Sequence, residues 1–155
     1  MKSLKALALI VSVGFALTGT QSQAAHVGGF LGTSIFGGSG YNSTNYLTGG
    51  LDATFGFTPA LELGGFWQKT SSGVQSVFGA ELNVFPMVTH CLQVGAKVGS
   101  ASLGNGNYFT YGPSLGLNHD IAPSISLGAE ATYFMYTNFS NFHDLALLGN
   151  LKIWL

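Results

Sequence analysis

The segment Ser140-Asn141-Phe142-His143-Asp144 contains the residue types that a hydrolase needs. Such chemistry requires a nucleophile, a histidine base and an orienting carboxylate that converge within hydrogen-bonding distance. The spacing of this segment matches no catalytic motif, and polar loops commonly contain the same residues. We therefore predict no catalytic site, and a lipid-modifying enzyme is the third of three hypotheses about function.

Histidine and cysteine are the other residues that could bind metals or do redox chemistry. His26, His90 and His119 all lie near strand ends at the same predicted rim of the molecule, where we expect them to pack at an interface. Cys91 is the only cysteine, so it cannot form an intrachain disulfide. The sequence indicates neither a metal site nor a cofactor.

Charged side chains on the predicted strands share one parity. Residues of one parity point to the same face of a strand, and charges on a lipid-facing surface are destabilising. We therefore predict a charge network in the interior of a barrel, with more carboxylates than lysines. It would either plug a polar core with ion pairs or line a narrow aqueous path that prefers cations. The predicted network is Asp52, Glu62, Glu81, Lys97, Glu130 and Lys152.

Apolar and polar residues alternate with a period of two along nearly all of the chain after residue 25, which indicates β-strands. In the second strand, for example, Leu51 and Phe55 face one way and Asp52 and Thr54 the other. The apolar set is expected to face lipid. We predict eight strands, at 27–36, 46–57, 61–68, 74–84, 88–99, 108–118, 124–135 and 144–155.

The connections between these strands alternate in length, as in membrane barrels with short periplasmic turns and longer outer loops. The tight turns are at 58–60, 85–87 and 119–123, and the looser polar loops are at 37–45, 69–73, 100–107 and 136–143. Aromatic residues near strand ends are expected to form the two interfacial girdles of such a barrel. They are Phe55, Phe57, Phe85, Trp67, Phe78, Phe109, Tyr111 and Tyr133.

The composition also indicates a membrane protein. Only 7% of the residues are charged, whereas soluble domains have about 25%. The chain has no arginine and no basic patch, which excludes nucleic-acid binding. No apolar stretch after residue 24 is long enough for a spanning helix, which leaves a closed barrel as the way to satisfy every backbone group in lipid.

The first residues predict a cleaved signal peptide. Lys2 and Lys5 precede an apolar segment at 6–17, which is too short to span a bilayer. Ser22-Gln23-Ala24 fits a cleavage site, with cleavage after Ala24 or, alternatively, after the next residue. This divides the chain into a signal peptide at 1–24 and an outer-membrane barrel at 25–155.

With these features the mature chain resembles, over its whole length, the small eight-stranded outer-membrane barrels formed by the OmpA transmembrane domain and OmpX. The resemblance implies an all-β fold, an antiparallel up-and-down transmembrane barrel in a Gram-negative outer membrane. Members commonly end in an aromatic residue within an alternating apolar strand that the barrel-assembly machinery reads. Here Leu151, Ile153 and Leu155 alternate, and Trp154 precedes the last residue.

The leading hypothesis about function is a structural protein that maintains the membrane, with a largely plugged lumen. Its expected partners are membrane lipids and the barrel-assembly machinery, and no cofactor is expected. The alternative is a small porin-like channel with a cation preference.

Small residues at outward positions of the eighth, first, second and third strands suggest self-association. Small residues let backbones approach closely inside a membrane, and packing then favours association. A ring of such barrels would enclose lipid, because its outer faces are apolar. Alternatively, the glycines only ease sheet curvature. The candidate face is Gly29, Thr33, Gly49, Ala53, Gly65 and Gly149.

Overall fold

The computed structural model describes residues 25–38, 41–58, 60–86, 91–104, 106–137 and 142–155. The predicted signal peptide lies outside these residues. Among them, no helix has the length and apolar character that a membrane crossing requires. They form eight strands, β1 to β8, at Ala25–Gly38, Tyr41–Thr58, Leu61–Thr70, Gln75–Val84, Leu92–Leu103, Gly106–Ala122, Ile125–Tyr136 and Phe142–Trp154.

The strands form a closed antiparallel barrel in sequence order. Phe30 of β1 lies opposite Gly50 of β2 on one side and opposite Asn150 of β8 on the other. Because β1 and β8 pair with each other, neither is a free edge, and the backbone hydrogen bonds are made between strands. The predicted fold, an eight-stranded up-and-down barrel, is confirmed.

Side-chain burial follows the two-residue period of the strands. In β6, Thr110 and Ser114 are buried, whereas Phe109, Tyr111 and Leu115 are exposed. The polar residues therefore face the interior and the apolar residues face outward, as the alternation predicts. This is the arrangement that a lipid-facing barrel requires.

Strand pairing extends into two of the predicted outer loops. Most of 37–45 and 100–107 is strand, and only two residues separate β1 from β2 and β5 from β6. Gly104 has a φ of 56° in the second of these turns. Two-residue hairpins favour positive φ, which glycine adopts without strain. Backbone hydrogen bonding between neighbouring strands thus continues beyond the residues at which apolar and polar side chains stop alternating.

The connection from β4 to β5 is described only in part. β4 ends at Val84 and β5 begins at Leu92, so the described residues do not test the whole of the predicted tight turn at 85–87. Residues 87–90, which include the predicted start of the fifth strand, lie outside the described residues. A proline cannot donate to the ladder, and Pro86 lies two residues after the end of β4.

Phe85, at the start of this connection, is not part of an outer girdle. Its side chain is only 2% exposed, because it continues the inward parity of β4. Its backbone amide donates to the carbonyl of Ala60 at 2.9 Å. The other predicted girdle aromatics occupy outward positions of their strands.

Candidate functional site: the barrel interior

The middle of the barrel interior contains a buried lysine between two carboxylates. Lys97 Nζ lies 2.5 Å from Glu130 Oε1 and 3.4 Å from Glu81 Oε2. Lys97 on β5 is the cross-strand partner of Glu81 on β4, whereas Glu130 comes from β7. Lys97 and Glu81 are each 2% exposed. Three strands therefore contribute to one ion-pair network that is shielded from water.

Aromatic rings complete the surroundings of this lysine. Its Nζ lies 5.0 Å from the centroid of the Phe66 ring and 5.5 Å from that of Phe30. Both distances are within the range of a cation–π interaction. Side chains from β1, β3, β4, β5 and β7 thus meet at one level of the interior.

A second charge cluster lies near the chain termini, where His26 connects two carboxylates. His26 Nε2 lies 2.8 Å from Asp52 Oδ2, and Nδ1 lies 3.3 Å from Glu62 Oε2. The Thr54 hydroxyl lies 2.8 Å from His26 Nδ1 and donates to Glu62 Oε2 at 3.0 Å. The prediction that His26 packs at the interface is wrong. It is 1% exposed, because it shares the inward parity of Phe30.

The remaining lysine of the predicted network contacts amides. Lys152 Nζ donates to Gln93 Oε1 at 2.5 Å. Gln93 Nε2 donates to Asn83 Oδ1 at 2.9 Å, and Asn118 Nδ2 lies 3.4 Å from Gln93 Oε1. Of the predicted set, the structure therefore brings together Glu81, Lys97 and Glu130 directly, and Asp52 and Glu62 through His26, whereas Lys152 joins an amide cluster.

Inward glycines make room for these polar side chains. A Cβ on Gly95 would lie 2.6 Å from both Asn83 Oδ1 and Ser114 Oγ. A Cβ on Gly128 would lie 2.5 Å from Asn118 Oδ1. The interior of an eight-stranded barrel is just wide enough for side chains to fill it. Amides can therefore extend across this interior only where the facing strand has no side chain.

The interior becomes apolar toward the end of the barrel away from the termini. Phe66 and Phe134 stack with their ring centroids 6.0 Å apart, and Phe134 is fully buried. The surrounding cluster also includes Val77, Ala101 and Tyr136. Through Phe66 this cluster adjoins the charged middle of the interior at Lys97.

A buried carboxylate that the predicted network does not include lies beside this layer. Asp144 is 0% exposed, and its Oδ2 accepts a hydrogen bond from Gln75 Nε2 at 3.1 Å. Gln75 Nε2 also contacts the Tyr136 hydroxyl. The sequence contains a signal that could have identified Asp144 as an inward residue. It lies four residues before the inward Leu148 on β8, so the two side chains point to the same face of the strand.

The segment with hydrolase residue types does not assemble a catalytic group in the part of the chain that the structure describes. His143 stacks on the outward Tyr133 with ring centroids 5.4 Å apart, while Asp144 points inward. Ser140 and Asn141 lie outside the described residues. Within those residues, no group of three or more His, Cys, Asp or Glu side chains could hold a metal ion.

The candidate self-association face lies on four adjacent strands, β8, β1, β2 and β3. Its small residues alternate with leucines and do not form an uninterrupted flat surface. Leu31, which is 62% exposed, lies between Gly49 of β2 and Gly149 of β8. In the next row the order is reversed, and Gly29 lies between two leucines. The face is thus a pattern of protruding side chains and hollows.

No protein-family model and no curated protein matches the sequence. Among solved structures, Neisserial surface protein A (NspA) superposes with a TM-score of 0.65 at 13% identity, covering 86% of this chain and 97% of NspA. The attachment invasion locus protein Ail of Yersinia pestis, crystallised with the heparin analogue sucrose octasulfate, gives 0.63 at 9% identity, covering 87% and 100%. A de novo designed transmembrane β-barrel gives 0.51 at 14% identity, covering 88% and 98%.

At such low identities these similarities concern the fold alone. NspA and Ail are outer-membrane barrels, and the match spans nearly all of each of them. The chain therefore has the fold of the small eight-stranded outer-membrane β-barrels, the group whose pattern its sequence resembles.

Proposed function

We propose that this protein is a structural component of the outer membrane of a Gram-negative bacterium and that its lumen is closed to solutes. The observation that carries this proposal is the position of Lys97, which contacts Glu81 and Glu130 and lies near the rings of Phe30 and Phe66. Side chains that meet across so narrow an interior leave little room for a continuous aqueous path.

The apolar layer supports the same proposal. Val77, Ala101 and Phe134 are each 0% exposed, and they lie in one cluster with Phe66. An ion that crossed between these side chains would lose hydration, which costs several kcal/mol unless polar groups such as Gln75 and Asp144 beside the layer replace the lost water. Two successive barriers, one charged and one apolar, would therefore oppose conduction.

Planar-bilayer recording tests the closed lumen. The wild-type barrel should show no steady openings, since general porins use about 16–18 strands. The double variant Phe66→Ala/Phe134→Ala removes both stacked rings and should allow small openings. A matched outward variant, Phe109→Ala/Tyr111→Ala, should remain silent. Large, stable openings from single wild-type barrels would refute the proposal.

A small cation-preferring channel is the second candidate. The observation that favours it is the excess of buried carboxylates over buried lysines. If the barrel opens, the reversal potential of its current in a salt gradient should indicate cation selectivity. The buried acids are Asp52, Glu62, Glu81, Glu130 and Asp144, and the buried lysines are Lys97 and Lys152.

A lipid-modifying enzyme is the third candidate, and we propose that the protein is not one. His143 and Asp144 point to opposite faces of β8, so they cannot act on one substrate atom together. Purified barrels in phospholipid vesicles should release no fatty acid. Hydrolysis that is lost in His143→Ala would overturn this proposal.

We also propose that copies of the barrel associate through the face around Leu31. A leucine of one barrel would enter a glycine hollow of another, and close packing of this kind drives association in membranes. A two-fold contact would give a dimer, whereas a head-to-tail contact could close a ring around lipid. This arrangement rests on the alternation of Leu31 with Gly49 and Gly149 across three strands.

Cross-linking in native membranes tests this association. Gly29→Leu and Gly49→Leu fill hollows on the proposed face and should reduce the cross-linked species. Ala96→Leu, at an exposed outward position of β5, is the matched control and should leave it unchanged. A purely monomeric wild type would remove the proposal, and so would an oligomer that both glycine variants leave intact.

Recognition by the barrel-assembly machinery is a further proposal, and it rests on the last strand. Leu151, Ile153 and Leu155 are exposed outward apolar residues. Because related barrels commonly end in an aromatic residue, Leu155→Phe should increase the fraction of protein that assembles in cells. The fraction is measured from the heat-dependent change in migration on a detergent gel, and an unchanged value would contradict the proposal.

Ail was crystallised with a heparin analogue, but we propose that this chain does not bind such polysulfates. After residue 24 it has three lysines and no arginine, and Lys97 and Lys152 are buried. One accessible lysine cannot form the basic cluster that such anions need. The barrel should therefore pass through a heparin column at physiological salt, and retention would contradict this expectation.

A further inference from the structure

We propose a binding site for an anionic, phosphate-bearing lipid on the outward face of β3 to β6. One acyl chain would lie in an apolar groove in the barrel wall, and the lipid phosphate would lie beside Lys69. The site shares Gly65 of β3 with the candidate self-association face and otherwise lies mainly on β4 to β6, and it depends only on the barrel's location in a membrane.

The groove has a volume of about 390 Å³. Gly65 of β3 and Ala80 of β4 are cross-strand partners and form its floor. Phe78 and Phe109 border it, and both lie opposite Ser100 of the intervening strand β5. These two rings are 41% and 54% exposed. The groove is therefore open to the hydrocarbon of the bilayer between two aromatic walls.

A pair of inward glycines explains why the wall is hollow here. Gly79 and Gly99 are cross-strand partners, and both border the groove. A Cβ on Gly79 would lie 2.6 Å from the Cα of Gly99. The two backbones can therefore lie closer to the barrel axis than side chains would permit. The shape of the groove is set by the backbone, so little conformational freedom is lost when an acyl chain binds.

Lys69 marks the outer end of the groove. It is an exposed, outward residue of β3, one outward pair beyond Trp67 and Phe78, and it lies opposite Ser76. Ser76 in turn lies opposite Ser102 on β5. The apolar wall thus gives way to a row with one ammonium and two hydroxyl groups, which suits contact with a lipid headgroup.

Charge and distance select the lipid. A lysine near the membrane surface attracts an anionic headgroup, and serine hydroxyls can donate to phosphate oxygens. Lys69 lies four positions after Gly65, which is about 13 Å along a strand and within the length of one acyl chain. The other lysines after residue 24 point into the barrel, so Lys69 supplies the cation on this surface.

Native mass spectrometry of the detergent-solubilised mature barrel tests the site. The probes are phosphatidylglycerol and phosphatidylcholine with identical acyl chains. Phosphatidylglycerol should bind more tightly to the wild type. Lys69→Gln should weaken phosphatidylglycerol binding by about fivefold and leave phosphatidylcholine binding unchanged, given the usual contribution of one lysine at a membrane surface.

The acyl-chain part of the site is tested separately. Ala80→Leu places a larger side chain on the groove floor and should weaken binding of both lipids. Ala129→Leu, at an exposed outward position of β7, is the matched control and should change neither. Heat-shift gels confirm that each variant is folded. Equal phosphatidylglycerol binding by wild type and Lys69→Gln would overturn the proposal, as would unchanged lipid binding by Ala80→Leu.

Discussion

Replacing Lys97 by methionine tests whether the charged middle of the barrel is dry. Methionine nearly preserves the length of the side chain but removes the ammonium between Glu81 and Glu130. The side chains of these two carboxylates are 1% and 8% exposed, so water cannot readily replace the lost cation. The variant also loses the cation–π contacts with Phe30 and Phe66.

The expected loss of stability follows from these contacts. Removing one partner of a buried ion pair costs about 3–5 kcal/mol, because a charge remains buried without compensation. Here one cation is shared by two carboxylates, so we expect Lys97→Met to fall within this range. Replacing a whole buried ion pair by neutral groups of similar volume is often nearly neutral. The triple variant Lys97→Met/Glu81→Gln/Glu130→Gln should therefore recover to within about 2 kcal/mol of wild type.

Equilibrium urea unfolding in phospholipid vesicles measures these changes through the fluorescence of Trp67 and Trp154. The slope of free energy against urea must stay constant for the comparison to hold. Leu127→Met, at an outward position that is 47% exposed, is the control and should change stability by less than about 0.5 kcal/mol. If Lys97→Met costs less than about 1 kcal/mol, water reaches the carboxylates, and the reasoning about a dry, closed lumen is refuted.

Three further predictions test the barrel itself. Unboiled protein should migrate differently from boiled protein on a detergent gel and give a β-rich circular dichroism spectrum, because a closed barrel has no free edge; a helical spectrum would contradict the fold. Gly112→Ala should destabilise by about 1–3 kcal/mol, since its Cβ would collide with the Tyr133 carbonyl oxygen. The Cβ of Gly149→Ala would have its nearest neighbour at 3.6 Å, so this variant should leave the free energy of unfolding unchanged. Equal urea midpoints for the two glycine variants would contradict this prediction. His26→Leu should cost about 3–5 kcal/mol, part of which Asp52→Asn should restore in the double variant; a wild-type urea midpoint for His26→Leu would show that the two carboxylates need no cation.

The sequence by itself determined the fold class and the face of each residue. Alternation with a period of two is a local property of the chain, and in a membrane it leaves a closed barrel as the structure that satisfies the backbone. Parity alone therefore placed Asp52 and Lys97 inside and Leu51 outside. The same rule, applied to every residue of the predicted strands, would also have placed Asp144 inside, whereas His26 precedes the first predicted strand by one residue.

Parity could not determine which inward residues meet. Lys97 pairs with Glu81 across a hydrogen-bonded ladder but with Glu130 across the lumen, and the second contact depends on the tilt and stagger with which the barrel closes. The same holds for the link from Asp52 through His26 to Glu62.

Only the tertiary structure also decided where the strands end and what lies between them on the outer wall. The polar residues after Ser100 predict a loop. However, β5 continues to Leu103 because its backbone still pairs with that of β6. The groove at Ala80 arises because glycines from two strands meet face to face. Contacts between strands are set by register and closure, which are properties of the whole barrel and are not encoded in any single strand.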